Sequence, residues 1–180
     1  MSISIVLLRG INLGSANRVA MPALRAELAE AGFEHVRTYV QSGNIVLDSD
    51  LEPDQLAETV SRLLAERFGL VAAVVTRTAE QLAQVVAANP FSEEAAENPK
   101  ALQVTFRRDQ VTPEIVTALE ARATPGEKVA GNGREIYSWH PDGIARSKLA
   151  FAITPRDSPA TARNWGTVTA LLEMARVNAG

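Results

Sequence analysis

Hydrophobic and polar residues along the first part of the chain switch between the period of a strand and the period of a helix. Residues 3–8 are almost all aliphatic, which predicts a strand buried on both faces and central in its sheet. Apolar residues recur at helical spacing from Met21, and again between Pro53 and Gly69, where proline favours the start of a helix and glycine its end. Further strands are predicted at residues 36–40, 45–47 and 71–76. The resulting order, β-α-β-β-α-β, is that of the ferredoxin-like unit.

The second part of the chain repeats this order. Apolar and polar residues alternate over residues 102–106, which predicts a half-buried strand with Gln103 and Thr105 on its polar side. Thr112-Pro113 predicts the start of a helix. Further elements are predicted as strands at 128–130, 135–139 and 160–163, a turn at 131–133 and a short helix at 146–152. The last predicted helix carries Val168, Leu171, Leu172 and Ala175. We therefore expect an α+β fold of two ferredoxin-like repeats with antiparallel sheets, each followed by an extra helix.

A connecting segment separates the two repeats. Thr78 and Gln81 have the spacing of a capping box, which predicts a helix that stops at Asn89-Pro90. Residues 92–99 are acidic and have no apolar period, so they are predicted to form a linker or exposed loop. The expected division is a first repeat at 1–76, a connector at 77–100 and a second repeat at 101–180. Whether the repeats form one sheet system or two domains stays open.

The first candidate site follows the first strand. In a ferredoxin-like unit the third strand lies between the first and second and runs antiparallel to both, so residues 9–12 are expected beside residues 41–44. Loop residues on a rigid scaffold commonly form binding sites. One wall of the expected site consists of Arg9, Asn12, Ser42 and Asn44. The glycines of these loops are Gly10, Gly14 and Gly43. A structural interpretation stays open, in which the glycines only permit positive φ and the asparagines cap turns.

The second candidate cluster lies near the end of the chain. It comprises Arg146, Ser147, Lys148, Arg163, Asn164 and Trp165. Its three cations are of the kind that bind phosphate or carboxylate. Asn164 is placed to cap the last helix, and Trp165 either stacks on a ring or fills the core. The alternative is a solvated basic loop with a helix cap.

Composition narrows the function classes. The net charge of −3 gives the whole molecule no electrostatic signature of nonspecific nucleic-acid binding, and the absence of cysteine removes thiolate nucleophiles and cysteine metal sites. The first residues lack the basic region of a signal peptide, so a cytoplasmic protein without membrane segments is expected. His35 and His140 are far apart, and no metal-ligand spacing or P-loop is present. His140 is interpreted either as a general base or as an ordinary turn histidine.

Five motifs resemble the DUF1697 family, which consists of small, mostly bacterial proteins of unknown function. They are residues 7–14, 39–44, 89–91, 141–149 and 162–165. The resemblance covers nearly the whole chain and implies a duplicated ferredoxin-like fold with no established activity. The chain departs from the family pattern at Ser15, Arg18 and Gly166, where glycine, lysine and asparagine are common.

The leading functional hypothesis is a protein that binds an anionic small molecule, such as a nucleotide or phosphorylated metabolite, at loops between the two repeats. The second hypothesis is a structural or protein-interaction module, which includes a homodimer. Nucleic-acid binding comes third, because the run of surface aromatic residues that RNA-recognition sheets carry is missing. The sequence identifies no nucleophile with an acid–base partner and no cofactor, so it leaves open whether the protein is an enzyme.

Overall fold

The computed structural model describes residues 1–12 and 17–177 and divides into two compact units. The first unit comprises Met1–Ala83 with the segment from Leu171 onward, and the second comprises Gln84–Ala170. The described residues form an α+β fold with two four-stranded antiparallel sheets and seven helices. Gly14 and Ser15, which belong to the first candidate loop, lie outside the described residues.

The first unit has the predicted order of strands and helices. Its elements are β1 (Ser2–Leu8), α1 (Met21–Glu30), β2 (Glu34–Tyr39), β3 (Asn44–Ser49), α2 (Pro53–Phe68) and β4 (Val74–Thr78). The sheet order is β2-β3-β1-β4, so the prediction that β1 is central is confirmed. Val6 and Leu8 pack with buried residues of α1 and α2 on one face of this sheet. As predicted, α2 begins at Pro53, and Gly69 ends it with a left-handed φ of 64°.

Two helices follow β4. The predicted capping box is confirmed at the start of α3 (Ala79–Ala87), because Thr78 N donates to Gln81 Oε1 at 3.0 Å and Gln81 N donates to Thr78 Oγ1 at 3.1 Å. Residues 92–99 were predicted to form a linker or exposed loop, and the exposed loop is wrong because α4 (Ser92–Glu97) occupies most of this segment. Tertiary packing accompanies the helix: Ala95 is buried in a cluster with Leu102, and Phe91 packs against the same cluster. Glu93 and Glu94 lie in the first turn of α4, where the helix dipole favours them.

The second unit repeats the order of the first. Its elements are β5 (Leu102–Phe106), α5 (Pro113–Glu120), β6 (Lys128–Asn132), β7 (Glu135–Trp139), α6 (Lys148–Ile153) and β8 (Thr161–Asn164), and α7 (Trp165–Val177) follows. The sheet order is β6-β7-β5-β8. The predicted cap of α5 is confirmed, because Thr112 accepts a hydrogen bond from Ile115 N. The turn between β6 and β7 lies at Gly133-Arg134, later than the predicted 131–133.

The polar side of β5 is buried, which corrects the prediction of a half-buried strand. Gln103 and Thr105 are buried, at 9% and 1% exposure, like the apolar residues of the same strand. They lie on the side of the sheet on which α6 packs, because both line a cavity with Ile153 of α6. Gln103 Nε2 donates to Lys100 O at 2.9 Å, so burial leaves its amide with a partner. The core of the second unit therefore contains a polar region.

Candidate functional site

The two loops of the first candidate site meet at one end of the first sheet. Leu7 of β1 pairs with Asn44 of β3, and Leu8 N donates to Gly43 O at 2.8 Å just beyond this pair. Asn12 Nδ2 donates to Gln41 O at 2.8 Å and joins the loops directly. The predicted juxtaposition of the loops is confirmed. We call residues 9–12 together with residues 40–44 the β1–β3 corner.

The two asparagines of the corner hold its backbone. Besides its bond to Gln41, Asn12 donates to Val19 O at 2.9 Å and accepts from Val19 N at 2.8 Å. Asn44 is fully buried, and its Nδ2 donates to Tyr39 O and to Ser42 Oγ. The turn-fixing interpretation therefore applies to both asparagines, whose side chains were predicted to form part of a binding wall. Of the other wall residues, Ser42 is exposed and Arg9 is half-buried.

Left-handed backbone is concentrated at the corner. Gly10, Asn12, Val40 and Gly43 have φ of 71°, 54°, 50° and 76°. Only glycine fits at Gly43, where an added Cβ would lie 2.7 Å from the Cβ of Leu8. Val40 is the unusual residue, because a β-branched side chain rarely adopts positive φ and this one is 56% exposed. Strain of this kind persists only where the surrounding structure enforces it, and it is often found at functional sites.

Charge at the corner has one sign. The connection at residues 9–18 carries Arg9 and Arg18 and no acidic residue, and residues 39–44 carry no charge. Arg18 is exposed. The segments that build the corner therefore supply positive charge and hydrogen-bond donors, and they contain no carboxylate of their own.

The second candidate cluster divides between two surfaces. Ser147 caps α6 by accepting from Ala150 N at 2.9 Å, and it is buried. Arg146 lines a polar groove of about 500 Å³ together with Asp142 and Glu127. Lys148 lines a separate groove of about 660 Å³ between α5 and α6. The two exposed cations therefore face different surfaces, and carboxylates oppose Arg146.

Arg163 does not join Arg146 and Lys148. Its neighbour Ala162 faces the α6 side of the sheet, so alternation along β8 directs Arg163 to the opposite side. Its Nη1 donates to Thr161 Oγ1 at 2.7 Å and to Ala162 O at 2.8 Å. Burial lowers the pKa of its guanidinium to about 10, so it remains charged at neutral pH. The prediction that three cations converge on one anion is wrong for this cluster.

The last two predicted residues have structural roles. Asn164 caps α7 as predicted, because its Oδ1 accepts from Thr167 N at 2.9 Å. Trp165 packs against the buried cluster that contains Leu102 and Trp139, which agrees with the core-filling interpretation.

A buried polar cluster in the second unit was missed by the sequence analysis. His140, which was interpreted either as a general base or as an ordinary turn histidine, is 1% exposed, although its carbonyl begins a turn by accepting from Gly143 N. One ring nitrogen lies 2.8 Å from Ser138 Oγ, and the other lies 2.9 Å from Glu127 Oε1. The sequence does contain a signal for this cluster: Ser138 and His140 are polar residues at alternate positions, so they lie on the same face at the end of β7.

Neither a candidate metal cluster nor a helix able to span a bilayer is found among the described residues. Over residues 1–12 and 17–177, His, Asp and Glu side chains do not gather in groups of three or more that could hold a metal ion. In the same part of the chain, each helix is too short or too polar to cross a bilayer.

Similarity to known proteins identifies the family. A solved structure of a conserved bacterial protein, SP0830 from Streptococcus pneumoniae, aligns with a TM-score of 0.77 over 97% of this chain and 98% of that chain, at 23% identity. This likeness supports the fold alone. No curated protein matches the chain. The model of the family described as "Protein of unknown function (DUF1697)" matches residues 1–137, so the motifs at 141–149 and 162–165 lie beyond the matched region. Because the match covers more than half of the sequence, the chain belongs to the DUF1697 family.

Proposed function

We propose that the protein binds a small anionic molecule, such as a nucleotide or a phosphorylated metabolite, at the β1–β3 corner. The observation that carries this proposal is one of sequence: the connection at residues 9–18, which begins in the corner, contains Arg9 and Arg18, and neither it nor residues 39–44 contains a carboxylate. Arginine binds phosphate through two parallel N–H groups, which gives both affinity and orientation. The rigid hydrogen bonds of Asn12 support the proposal, since a prearranged loop loses little entropy on binding.

The corner suits an anion better than the groove beside Arg146. In that groove Glu127 and Asp142 place two carboxylates around one guanidinium, so the local charge is negative. An anion there meets net repulsion, whereas the segments of the corner carry Arg9 and contain no carboxylate of their own. Ser42 is exposed at the corner and offers a hydroxyl group to the same ligand.

Binding of defined anions tests the proposal. We expect inorganic phosphate, ATP or a sugar phosphate to raise the melting temperature of the protein in a salt-dependent manner. Arg9→Ala is expected to weaken binding about 10-fold or more, because a hydrogen bond to a charged group contributes about 1.5–3 kcal/mol. The matched control is Arg62→Ala, which removes an exposed arginine from α2 and should leave binding unchanged. Failure of all three anions to bind, or equal affinity of Arg9→Ala and the parent protein, would contradict the proposal.

A second function is favoured by the groove between α5 and α6. This groove is lined by Ile115, Ala118, Leu119, Arg122, Lys148, Phe151 and Ala152. Phe151 is 63% exposed, which is unusual for a large aromatic residue. The cations Arg122 and Lys148 complement negative charge, so the occupant that we propose is an amphipathic helix with acidic residues on its polar side.

Two synthetic amphipathic helices distinguish this function from nonspecific apolar contact. They share one apolar face and carry either glutamate or lysine on the polar face. We expect the glutamate helix to bind more tightly, and Phe151→Ala to weaken that binding. Equal binding of both helices, or none by either, would argue against a docking role.

We also propose that each unit is a ferredoxin-like repeat and that the two arose by duplication. Both sheets have the same strand order. A shared detail supports the proposal: Arg77 of β4 and Arg163 of β8 each donate Nη1 to the carbonyl of the preceding residue, at 2.7 and 2.8 Å. Each arginine is followed by the cap of the next helix, Thr78 or Asn164. Superposition of the two units in an experimental structure, strand for strand and with the arginines aligned, is the test.

A further inference from the structure

The buried polar cluster of the second unit has the geometry of a nucleophile with its base. Ser138 Oγ lies 2.8 Å from His140 Nε2, and His140 Nδ1 lies 2.9 Å from Glu127 Oε1. The serine is part of β7, which has neighbours on both sides in the sheet, so the row rests on a rigid element. We call these three residues the Ser138–His140–Glu127 row.

The hydrogen bonds of Glu127 determine where the protons lie. Its carboxylate accepts from the backbone N–H and hydroxyl of Thr124 and from the hydroxyl of Ser147. Burial by itself would raise the pKa of Glu127, but these bonds and the one from His140 lower it to about 2. The carboxylate is thus ionised at neutral pH and can only accept, so His140 Nδ1 carries a hydrogen.

The second ring nitrogen then acts as a base toward the serine. In neutral imidazole a protonated Nδ1 leaves Nε2 as an acceptor, and Ser138 O–H is the donor 2.8 Å away. Serine, histidine and carboxylate have the same order and tautomer in enzymes that use serine as a nucleophile.

A small cavity gives this row a place for a reacting group. It has a volume of about 50 Å³, and both Ser138 and His140 line it. Gln103, the residue paired with Ser138 across the two central strands, also lines the cavity and has an amide that can donate to a carbonyl oxygen. Ile144 also lines the cavity and is 47% exposed, so the cavity lies close to solvent on this side.

We propose that Ser138 is a nucleophile that accepts a short acyl group from an ester, with His140 as its base and Glu127 as the residue that positions the histidine. Ser138 Oγ adds to the ester carbonyl while its proton passes to His140 Nε2. Collapse of the adduct breaks the ester C–O bond, and the proton passes to the departing alcohol. Water then hydrolyses the acyl-serine to a carboxylic acid and regenerates Ser138. The cavity holds about one or two water-sized groups, which limits the acyl group to the size of acetyl.

Acetylation by p-nitrophenyl acetate tests the proposal. We expect release of p-nitrophenol and an intact mass increased by one acetyl group, which peptide mapping assigns to Ser138. Ser138→Ala should abolish that modification, and His140→Gln should slow it about 100-fold or more, as expected for loss of a general base. Circular dichroism shows whether each variant keeps its fold. Absence of acetyl-Ser138 in the parent protein, or an unchanged rate in folded His140→Gln, overturns the proposal.

Ile144, which lines the cavity, provides a test that leaves the Ser138–His140–Glu127 row unchanged. Ile144→Ala removes an exposed side chain, so the variant is expected to fold. It should raise the rate with p-nitrophenyl butyrate relative to acetate, because the longer chain gains room. An unchanged ratio of the two rates would show that reaction does not occur in this cavity. These outcomes are independent of anion binding at the β1–β3 corner, which concerns the other unit.

Discussion

The free energy of unfolding of the protein is expected to fall at acid pH, and Glu127 should contribute more to this fall than any exposed carboxylate does. Its side chain is 6% exposed and lies 2.9 Å from His140 Nδ1. Thr124 and Ser147 supply the other donors. Because all of these groups donate to the carboxylate, the ionised form is favoured in the folded protein. Glu127→Gln replaces it with a neutral group of the same shape, which resembles the protonated acid.

The magnitude follows from the pKa. Glu127 has a pKa of about 2 in the folded protein, against an ordinary value of 4.5 in the unfolded chain. A depressed pKa means that the unfolded state binds the proton first, so stability is complete above pH 4.5 and is lost as pH falls toward 2. The full difference corresponds to about 3 kcal/mol, and about 2 kcal/mol of it is lost by pH 3.

Urea denaturation at pH 7 and pH 3 measures this contribution. At pH 7, Glu127→Gln should lower the free energy of unfolding by about 3 kcal/mol relative to the parent protein. At pH 3 the two proteins should differ by about 1 kcal/mol, because the parent has lost most of its advantage. Glu120→Gln, at an exposed position on α5, is the control and should have little effect at either pH. A parent-to-variant difference that is equal at the two pH values would refute the reasoning.

Three further substitutions and one control, Gly32→Ala, test local structure by urea denaturation. Gly43→Ala should lower the free energy of unfolding by about 3 kcal/mol, since its Cβ would collide with Leu8. Gly32→Ala, also at positive φ but in open space, should lower it by only about 1 kcal/mol. Equal effects of the two substitutions would contradict this reasoning. Val40→Gly should raise stability by about 1 kcal/mol by relieving a left-handed β-branched residue, and a loss would show that φ is not strained there. Asn164→Ala should cost about 1 kcal/mol through loss of the α7 cap, and an unchanged stability would show that the cap is dispensable.

Local signals in the sequence predicted most of the helices and strands. Capping residues were the most accurate: Thr78, Thr112 and Asn164 make the expected hydrogen bonds. A cap depends on a side chain and the backbone within one turn, so the information lies within a few residues. The central position of β1 was predicted equally well, because a strand that is covered on both faces has apolar residues on both faces.

Tertiary packing accounts for the errors. The acidic run at 92–99 has no apolar period, yet it forms α4, with Ala95 and the adjoining Phe91 packed in a cluster with Leu102. Gln103 and Thr105 have the alternating pattern of a strand with one face in water, but the side of the sheet on which they lie also lines the cavity beside α6. Alternation indicates that two faces differ in polarity, and it cannot tell whether the polar face is covered.

The β1–β3 corner could be predicted because its residues are contiguous in two short segments and the topology brings the segments together. The Ser138–His140–Glu127 row depends instead on strand register. Lys128 pairs with Trp139, so the preceding Glu127 reaches the position opposite His140. A turn centred on the predicted residues 131–133 would place Glu127 opposite Tyr137, on the other face of the sheet. A small displacement of the turn therefore separates the carboxylate from the histidine, and the fold must be known before this chemistry becomes visible.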